Sequence, residues 1–153
     1  MKKILLLGQD GMLGGELSTR LKNKGYEVFD TTIETLDICD EVAVVNKAKE
    51  VMPEYIINCA AYTNVDGCET NFELANNVNG VALANIAKAA NEVDATLIQI
   101  STDYVFDGKL DISQAYTEDM KINPVSAYGR TKLLGEQNAS KANKHYKNMC
   151  KNI

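Results

Sequence analysis

Tyr128 and Lys132 stand four residues apart in Ser126-Ala127-Tyr128-Gly129-Arg130-Thr131-Lys132, a stretch that reads as the first turns of a helix. That spacing puts a phenol and an ammonium on one helical face, about one turn apart. An ammonium beside a phenol favours the phenolate and lowers the tyrosine pKa from about 10. At roughly 4 Å and an effective dielectric near 20, the attraction is of order 4 kcal/mol before desolvation. Three pKa units need about 4 kcal/mol, so one lysine can bring a tyrosine close to working pH. The pair would then move a proton. Tyr-x-x-x-Lys also arises by chance on surface helices, so its meaning depends on the elements that hold it.

The first residues supply one such element. Lys2-Lys3-Ile4-Leu5-Leu6-Leu7 is a short apolar run of the kind that forms a buried parallel strand. It leads into Gly8-Gln9-Asp10-Gly11-Met12-Leu13-Gly14 and then into a helical pattern with Leu13, Leu17 and Leu21 in phase. Strand, glycines at intervals of three, then helix predict a phosphate-binding turn. Glycines allow the backbone to approach a pyrophosphate, which rests on the free N–H groups of the helix start. The spacing is G-x-x-G-x-x-G rather than G-x-G-x-x-G. The next strand, Tyr26-Glu27-Val28-Phe29, ends at Asp30, where an acid can accept hydrogen bonds from an adenosine ribose.

Alternation of strand and helix continues. Leu36-Asp37-Ile38 reads as a very short strand, Glu41 to Met52 as a helix closed by Pro53, and Tyr55 to Ala61 as a buried strand. Phe72 to Val93 reads as one long helix with a stripe of Leu74, Val78, Val81, Ile86 and Ala89, and Ala95 to Ser101 as the last strand. The fold class is therefore α/β, a Rossmann-type doubly wound parallel sheet. The long irregular stretch from Asp103 to Asn123 lies past the carboxyl end of a strand, where open α/β sheets hold ligands. Two more segments fall at that sheet edge. Small residues in Asn58-Cys59-Ala60-Ala61-Tyr62-Thr63 let a cofactor pass close to the backbone. Ser101-Thr102-Asp103 carries hydroxyls beside an acid, able to hydrogen-bond a substrate carbonyl while Tyr128 delivers a proton. Without the Tyr-Lys pair a strand-end cap or local turn would be the better account of Ser-Thr-Asp; with the pair the carbonyl-binding reading is the better one.

Composition bounds the rest. A chain of 153 residues can form one domain and bury about two-thirds of its unfolded surface. With 16 basic against 21 acidic side chains, the balance argues against nucleic acid. No apolar run approaches the roughly 20 residues of a membrane span, and no signal-peptide pattern opens the chain. Cys39, Cys59, Cys68 and Cys150 lack C-x-x-C or His-paired spacing, which predicts reduced structural thiols and a cytoplasmic location. His145 sits in a polar tail without an evident partner, so no metal site is expected.

Four motifs in this order and spacing resemble the extended short-chain dehydrogenase/reductases, and among them the dTDP-4-dehydrorhamnose reductase family. They are the glycine motif, Asn58 to Asp66, Ser101 to Gly108 and Pro124 to Glu136, so the resemblance covers about residues 1 to 140. The resemblance implies that Gly11, Met12 and Leu13 contact a cofactor pyrophosphate, within the turn framed by Gly8 and Gly14. Asp30, Asp37 and Ile38 would surround the adenosine, and Ala60, Ala61, Tyr62, Thr63 and Ile100 would line the remaining cleft. Thr102, Tyr128 and Lys132 would be the catalytic set, with Thr102 and Asp103 touching a sugar nucleotide. The implied cofactor is NADPH or NADH; Asp30 should repel a 2′-phosphate and favour NADH, yet the family is known for accepting both. The implied reaction reduces the 4-keto group of dTDP-4-dehydro-L-rhamnose, for cell-surface polysaccharide, and leaves room for a homodimer. Another nucleotide-sugar reductase or epimerase stays open, as does a regulatory subunit resembling that of methionine adenosyltransferase.

The chain departs from that family after the Tyr-Lys helix. Family members return into a sixth strand and then a substrate subdomain. Residues 141 to 153 form instead a basic tail with four lysines and no acid, read as unable to make a buried strand. The expectation is therefore a Rossmann domain over residues 1–140, truncated before the last strand and the substrate domain. The strand around Thr96 to Ile100 would be left as an apolar edge.

Overall fold

The computed structural model describes residues 1–111, 113–117, 119–142 and 145–149. Its centre is a parallel sheet of five strands in the order β2-β1-β3-β4-β5. These are β1 (Lys3–Leu7), β2 (Glu27–Thr31), β3 (Tyr55–Asn58), β4 (Thr96–Ile100) and β5 (Tyr146–Met149). Helices α1 (Met12–Asn23), α2 (Glu41–Val51), α3 (Val65–Thr70), α4 (Phe72–Asn76), α5 (Ala82–Glu92) and α6 (Ala127–Ala142) connect them. Successive side chains of a strand point to opposite faces, and β1 shows why its run had to be apolar throughout. Leu5 and Leu7 join Val44, Ala48, Ile56 and Ile86 on the face covered by α2 and α5. Ile4 and Leu6 join Ile57, Leu17 and Leu21 on the face covered by α1. The sheet is thus wound on both sides, as expected.

Three expectations about elements are corrected. Leu36-Asp37-Ile38 is not a strand. Leu36 and Ile38 are both buried, but a turn begins at Asp37 with Ile38 inside it: the Asp37 carboxylate accepts the Cys39 N–H at 2.8 Å and the Asp37 carbonyl accepts the Asp40 N–H at 3.1 Å. A tight turn gives the same alternating burial as a strand. The region from Phe72 is not one uniform helix, because a π-turn (Asn77–Val81) stands between α4 and α5. The wider turn shifts the helical phase, so Leu74 and Val81 are exposed while Ala75 and Asn79 are buried. Ile86 and Ala89, beyond the turn, are buried as expected. Finally, the polar tail does form a strand: β5 pairs in parallel with β4, Leu97 opposite Tyr146 and Ile100 opposite Met149.

That strand covers the edge that was expected to lie bare. An edge strand needs only one apolar face and tolerates lysine on the other. Tyr146 packs against the main core while Lys147 and Met149 face solvent. His145, expected to lack a partner, has its Nε2 at 3.7 Å from an Asp94 carboxylate oxygen, an ion pair when the imidazole is protonated. Cys39 is exposed, Cys59 half-buried and Cys68 buried; Cys150 lies outside the described residues.

One helix end offers a stability test. Met52 closes α2 in the left-handed region, with φ of 50° and ψ of 59°. Glycine adopts that conformation without the Cβ penalty. Met52→Gly is expected to raise stability by about 0.5–1 kcal/mol, read as a higher midpoint in urea denaturation; a lower midpoint would refute it.

Candidate functional site

The glycine turn leaves β1 at Gly8, whose φ of +78° suits glycine. The N–H groups of Gly8 and Gln9 both donate to the Thr31 carbonyl, at 3.0 and 2.9 Å, which ties the turn to the end of β2. A Cβ at Gly8 would stand 2.6 Å from the Ala60 nitrogen, and one at Gly14 would stand 2.1 Å from the Gly8 oxygen. These two glycines therefore allow strand and helix to pack directly on the turn. Gly11 is different: a Cβ there would meet only the Gly8 oxygen, at 3.5 Å. It caps α1 without a side-chain hydrogen bond, and the first turn of α1 carries no acid. By contrast Asp40, Asn64 and Ser126 cap α2, α3 and α6 with their side chains. The start of α1 is left with N–H groups able to receive an anion. The side chains of Met12 (95% exposed) and Leu13 (44%) point to solvent, so only their backbone can serve the turn.

A groove of about 290 Å³ runs along this sheet edge. Gly8, Asp10 and Gly11 form one end, Thr32, Ile33, Leu36, Asp37 and Ile38 a side wall, and Cys59, Ala60, Ala61 and Val78 the rest. Gly8, Gly11, Asp37, Ile38, Ala60 and Ala61 were among the residues singled out from the sequence. Asp30 was too, but it does not line the groove. Its carboxylate turns to α1, accepting the Ser18 hydroxyl at 3.0 Å and pairing with the Lys22 ammonium. Thr32 and Ile33, just past β2, hold the wall that Asp30 was expected to hold. Asp10 and Cys59 lie within the glycine turn and the small-residue segment read from the sequence, whereas Val78, read only as part of a helical stripe, was missed as lining. The signal for Thr32 and Ile33 lay in their position after the strand, where ligands of open sheets sit.

Tyr62 and Thr63 follow the groove. Thr63 is exposed, whereas Tyr62 is pinned by the buried Asn79 of the π-turn. The Tyr62 N–H donates to Asn79 Oδ1 at 2.8 Å, and Asn79 Nδ2 donates to the Tyr62 carbonyl at 3.0 Å. The same Nδ2 reaches Thr131 Oγ1 at 3.1 Å, so one asparagine joins the loop to α6.

The start of α6 is fixed from several sides. The Gly129 N–H donates to Ser126 Oγ at 3.0 Å and the Ala127 N–H to Glu69 Oε1 at 2.7 Å. Gly129 lets the Tyr104 carbonyl approach so closely that a Cβ would lie 2.2 Å from it. The Tyr128 ring meets the Tyr104 ring edge-on, with centroids 5.5 Å apart. One turn later Lys132, only 4% exposed, donates through Nζ to the Ile100 carbonyl at 2.6 Å. Thr102, beyond β4, is buried; its hydroxyl donates to Asp103 Oδ1 and accepts the Tyr104 N–H, both at 3.2 Å. Cys59 links this cluster to the groove: burial pushes its thiol up to about 11, against the opposing pull of the Lys132 charge. The segment after β4 and the start of α6 thus carry a hydroxyl, a phenol and an ammonium, tied to one another through Tyr104 and Ile100, and the Lys132 charge reaches Cys59 in the groove wall. Such a set can steady a carbonyl oxygen and give it a proton.

Among the described residues no helix is long and apolar enough to cross a membrane, and no group of three or more His, Cys, Asp or Glu is placed to hold a metal ion.

The sheet order, the glycine turn and the groove at the strand ends define a Rossmann-type α/β protein. The chain matches the RmlD substrate binding domain over residues 1–148, and it belongs to that family. A dTDP-4-dehydrorhamnose reductase of Mycolicibacterium smegmatis is 46% identical over 136 residues, 89% of this chain and 41% of that protein. The crystal structure of a dTDP-4-dehydrorhamnose reductase from Clostridium acetobutylicum superposes with a TM-score of 0.93 at 44% identity, covering 97% of this chain and 52% of that one. One from Bacillus anthracis, in complex with NADP, gives a TM-score of 0.93 at 34% identity, covering 98% and 53%. The chain therefore spans about half the length of the relatives it matches.

Proposed function

We propose that this chain is the dinucleotide-binding part of an NAD(P)H-dependent reductase acting on the 4-keto group of dTDP-4-dehydro-L-rhamnose. The observation that carries the proposal is a groove at the strand ends that starts at an uncapped helix and includes Cys59, whose thiol feels the Lys132 charge; Thr102 and Tyr128 are tied to the same strand end and helix start. The solved relative from Bacillus anthracis with NADP supports the cofactor class. The residues present fit it: the N–H groups of Met12 and Leu13 for a pyrophosphate, with Gly11, whose own N–H donates to the Gly8 carbonyl at 3.3 Å, leaving room beside them; Asp37 and Ile38 beside an adenosine; and Ala60, Ala61, Tyr62, Thr63 and Ile100 along the remainder. Asp30 engages Ser18 and Lys22 through Oδ2, while Oδ1 is buried without a hydrogen-bond partner among the described residues; the Lys22 ammonium offsets the charge that would repel a 2′-phosphate, which supports NADPH alongside NADH.

When bound, the reduced nicotinamide supplies a hydride to C4 of the sugar. Tyr128 gives its phenolic proton to the oxygen as that carbonyl becomes an alcohol, which leaves a phenolate to be reprotonated from water. Lys132 stabilises the phenolate and holds the nicotinamide ribose. Thr102 would turn its one hydroxyl proton from Asp103 Oδ1 to the carbonyl and, with Asp103, touch the sugar nucleotide. The described residues shape a groove for a dinucleotide but contribute little else on the sugar side. NADPH and NADH titrated into the purified chain by calorimetry are expected to bind weakly. NADH oxidation with dTDP-4-dehydro-L-rhamnose is expected to be slight or nil. No binding of either dinucleotide would overturn the proposal, and turnover matching a full-length reductase would overturn the assignment to a binding part alone.

A further inference from the structure

Two buried amide side chains, Asn58 and Gln99, face each other across β3 and β4 at paired positions. The Ala60 N–H donates to Asn58 Oδ1 at 3.1 Å, and Asn58 Nδ2 donates to Gln99 Oε1 at 2.8 Å. Gln99 Nε2 then donates to the Ile100 carbonyl at 2.7 Å, and Lys132 Nζ donates to that same oxygen at 2.6 Å. Neither amide can be turned round. A backbone N–H only donates and a carbonyl only accepts, so the two ends of this chain of bonds fix both orientations. The bonds run one way, from the groove wall at Ala60 to the oxygen that holds Lys132.

The sheet does not need amides here. Ile56, Ile57 and Leu97 fill the neighbouring positions, and apolar side chains would pack there without the cost of burying polar groups. Lysine, with a flexible stem and three rotatable donors, needs a fixed acceptor if its ammonium is to stand in one place. Both lone pairs of the Ile100 oxygen are engaged, one by Lys132 and one by Gln99, so its peptide is held in two directions. We propose that Asn58 and Gln99 are a positioning pair that aims the Ile100 carbonyl at Lys132 and thereby sets where its ammonium stands at the groove. This rests on the reading of Lys132 as the residue that serves Tyr128 and the cofactor ribose, but it can be tested without either.

Cys59 is the reporter, because it lines the groove and its thiol feels the Lys132 charge. In a C39S/C150S background, leaving Cys59 and the buried Cys68, alkylation by iodoacetamide is followed over roughly pH 7 to 10. Lys132→Met is expected to slow Cys59 about three- to tenfold below its pKa, by removing the charge that favours the thiolate. The apolar pair Asn58→Leu/Gln99→Met is expected to slow it to a similar degree, with an unchanged circular dichroism spectrum. Adding it to Lys132→Met should slow Cys59 no further. Parental rates in the apolar pair overturn the proposal, as do parental rates in Lys132→Met. Unfolding of the apolar pair overturns it too, since the amides would then serve the fold. NADPH titration of the unaltered chain is the separate arm: failure to bind sinks the dinucleotide reading, while the Cys59 rates still decide the positioning role.

Discussion

Gly14→Ala is expected to cost about 3 kcal/mol of stability or more and to weaken dinucleotide binding roughly 100-fold. The added methyl would stand 2.1 Å from the Gly8 oxygen, 2.8 Å from the Gly8 carbonyl carbon and 2.9 Å from Gln9 Cα. All three are backbone atoms of the turn that faces the start of α1. No side chain can rotate aside, so either α1 retreats from β1 or the turn opens. Both movements disturb the N–H groups that would hold a pyrophosphate. Gly15 supplies the internal control. A Cβ there would lie 3.4 Å from the Gln9 oxygen, an ordinary contact, and alanine is the better residue inside a helix. Gly15→Ala is therefore expected to gain about 0.5–1 kcal/mol. Two adjacent, chemically identical changes should move the thermal midpoint in opposite directions. A Gly14→Ala protein that melts with the parent and binds NADPH as tightly would show that the turn does not constrain α1 as described.

That contrast also shows what was legible in the residues. The turn could be read because its constraint is local: an apolar strand, glycines in a fixed phase, and a helix directly after. Tyr128 and Lys132 were legible for the same reason, being one turn apart on a helix whose start Ser126 marks. Asp30 was not, because its partners come from another element. Ser18 and Lys22 on α1 hold one carboxylate oxygen, Oδ2, and the other is buried without a hydrogen-bond partner among the described residues; nothing in the strand itself reveals that. The wall made instead by Thr32 and Ile33 follows from where the chain goes after β2. Leu36-Asp37-Ile38 misled because burial alternates through a turn as it does through a strand.

The π-turn and β5 were hidden for two further reasons. A helical stripe is read by extrapolating a phase, and one wider turn at Asn77–Val81 breaks the extrapolation. The turn brings Asn79 to the interior, where it bonds Tyr62 and Thr131. Tyr146–Met149 has too few apolar residues to announce a strand, but β4 supplies a pre-formed ladder, and an edge position demands only one buried face.

How α6 seats against that π-turn yields the second large effect. Gly135→Ala is expected to lower stability by about 3 kcal/mol, or roughly 6–12 °C in thermal midpoint for a chain of this size. Its methyl would lie 2.1 Å from the Asn79 oxygen and 3.3 Å from Leu83 Cγ. The first is a backbone atom in the widened turn, which also packs through Asn79 on Tyr62 and Thr131. Relief requires α6 to move outward as a body, and Lys132, less than one turn earlier on the same helix, moves with it. Its bond to the Ile100 carbonyl would lengthen or break, and the Cys59 thiol would lose the nearby positive charge. Gly135→Ala should therefore slow alkylation of Cys59 as well as lower the midpoint. Gly80→Ala separates this from simple crowding between the two helices. There the methyl would meet the Leu134 side chain, nearest at Cδ2, 2.8 Å away. A leucine end can rotate, so the cost should stay within about 1 kcal/mol with Cys59 unaffected. Equal losses in both variants would mean that helix crowding, rather than the approach of α6 to the Asn79 carbonyl, governs where Lys132 stands.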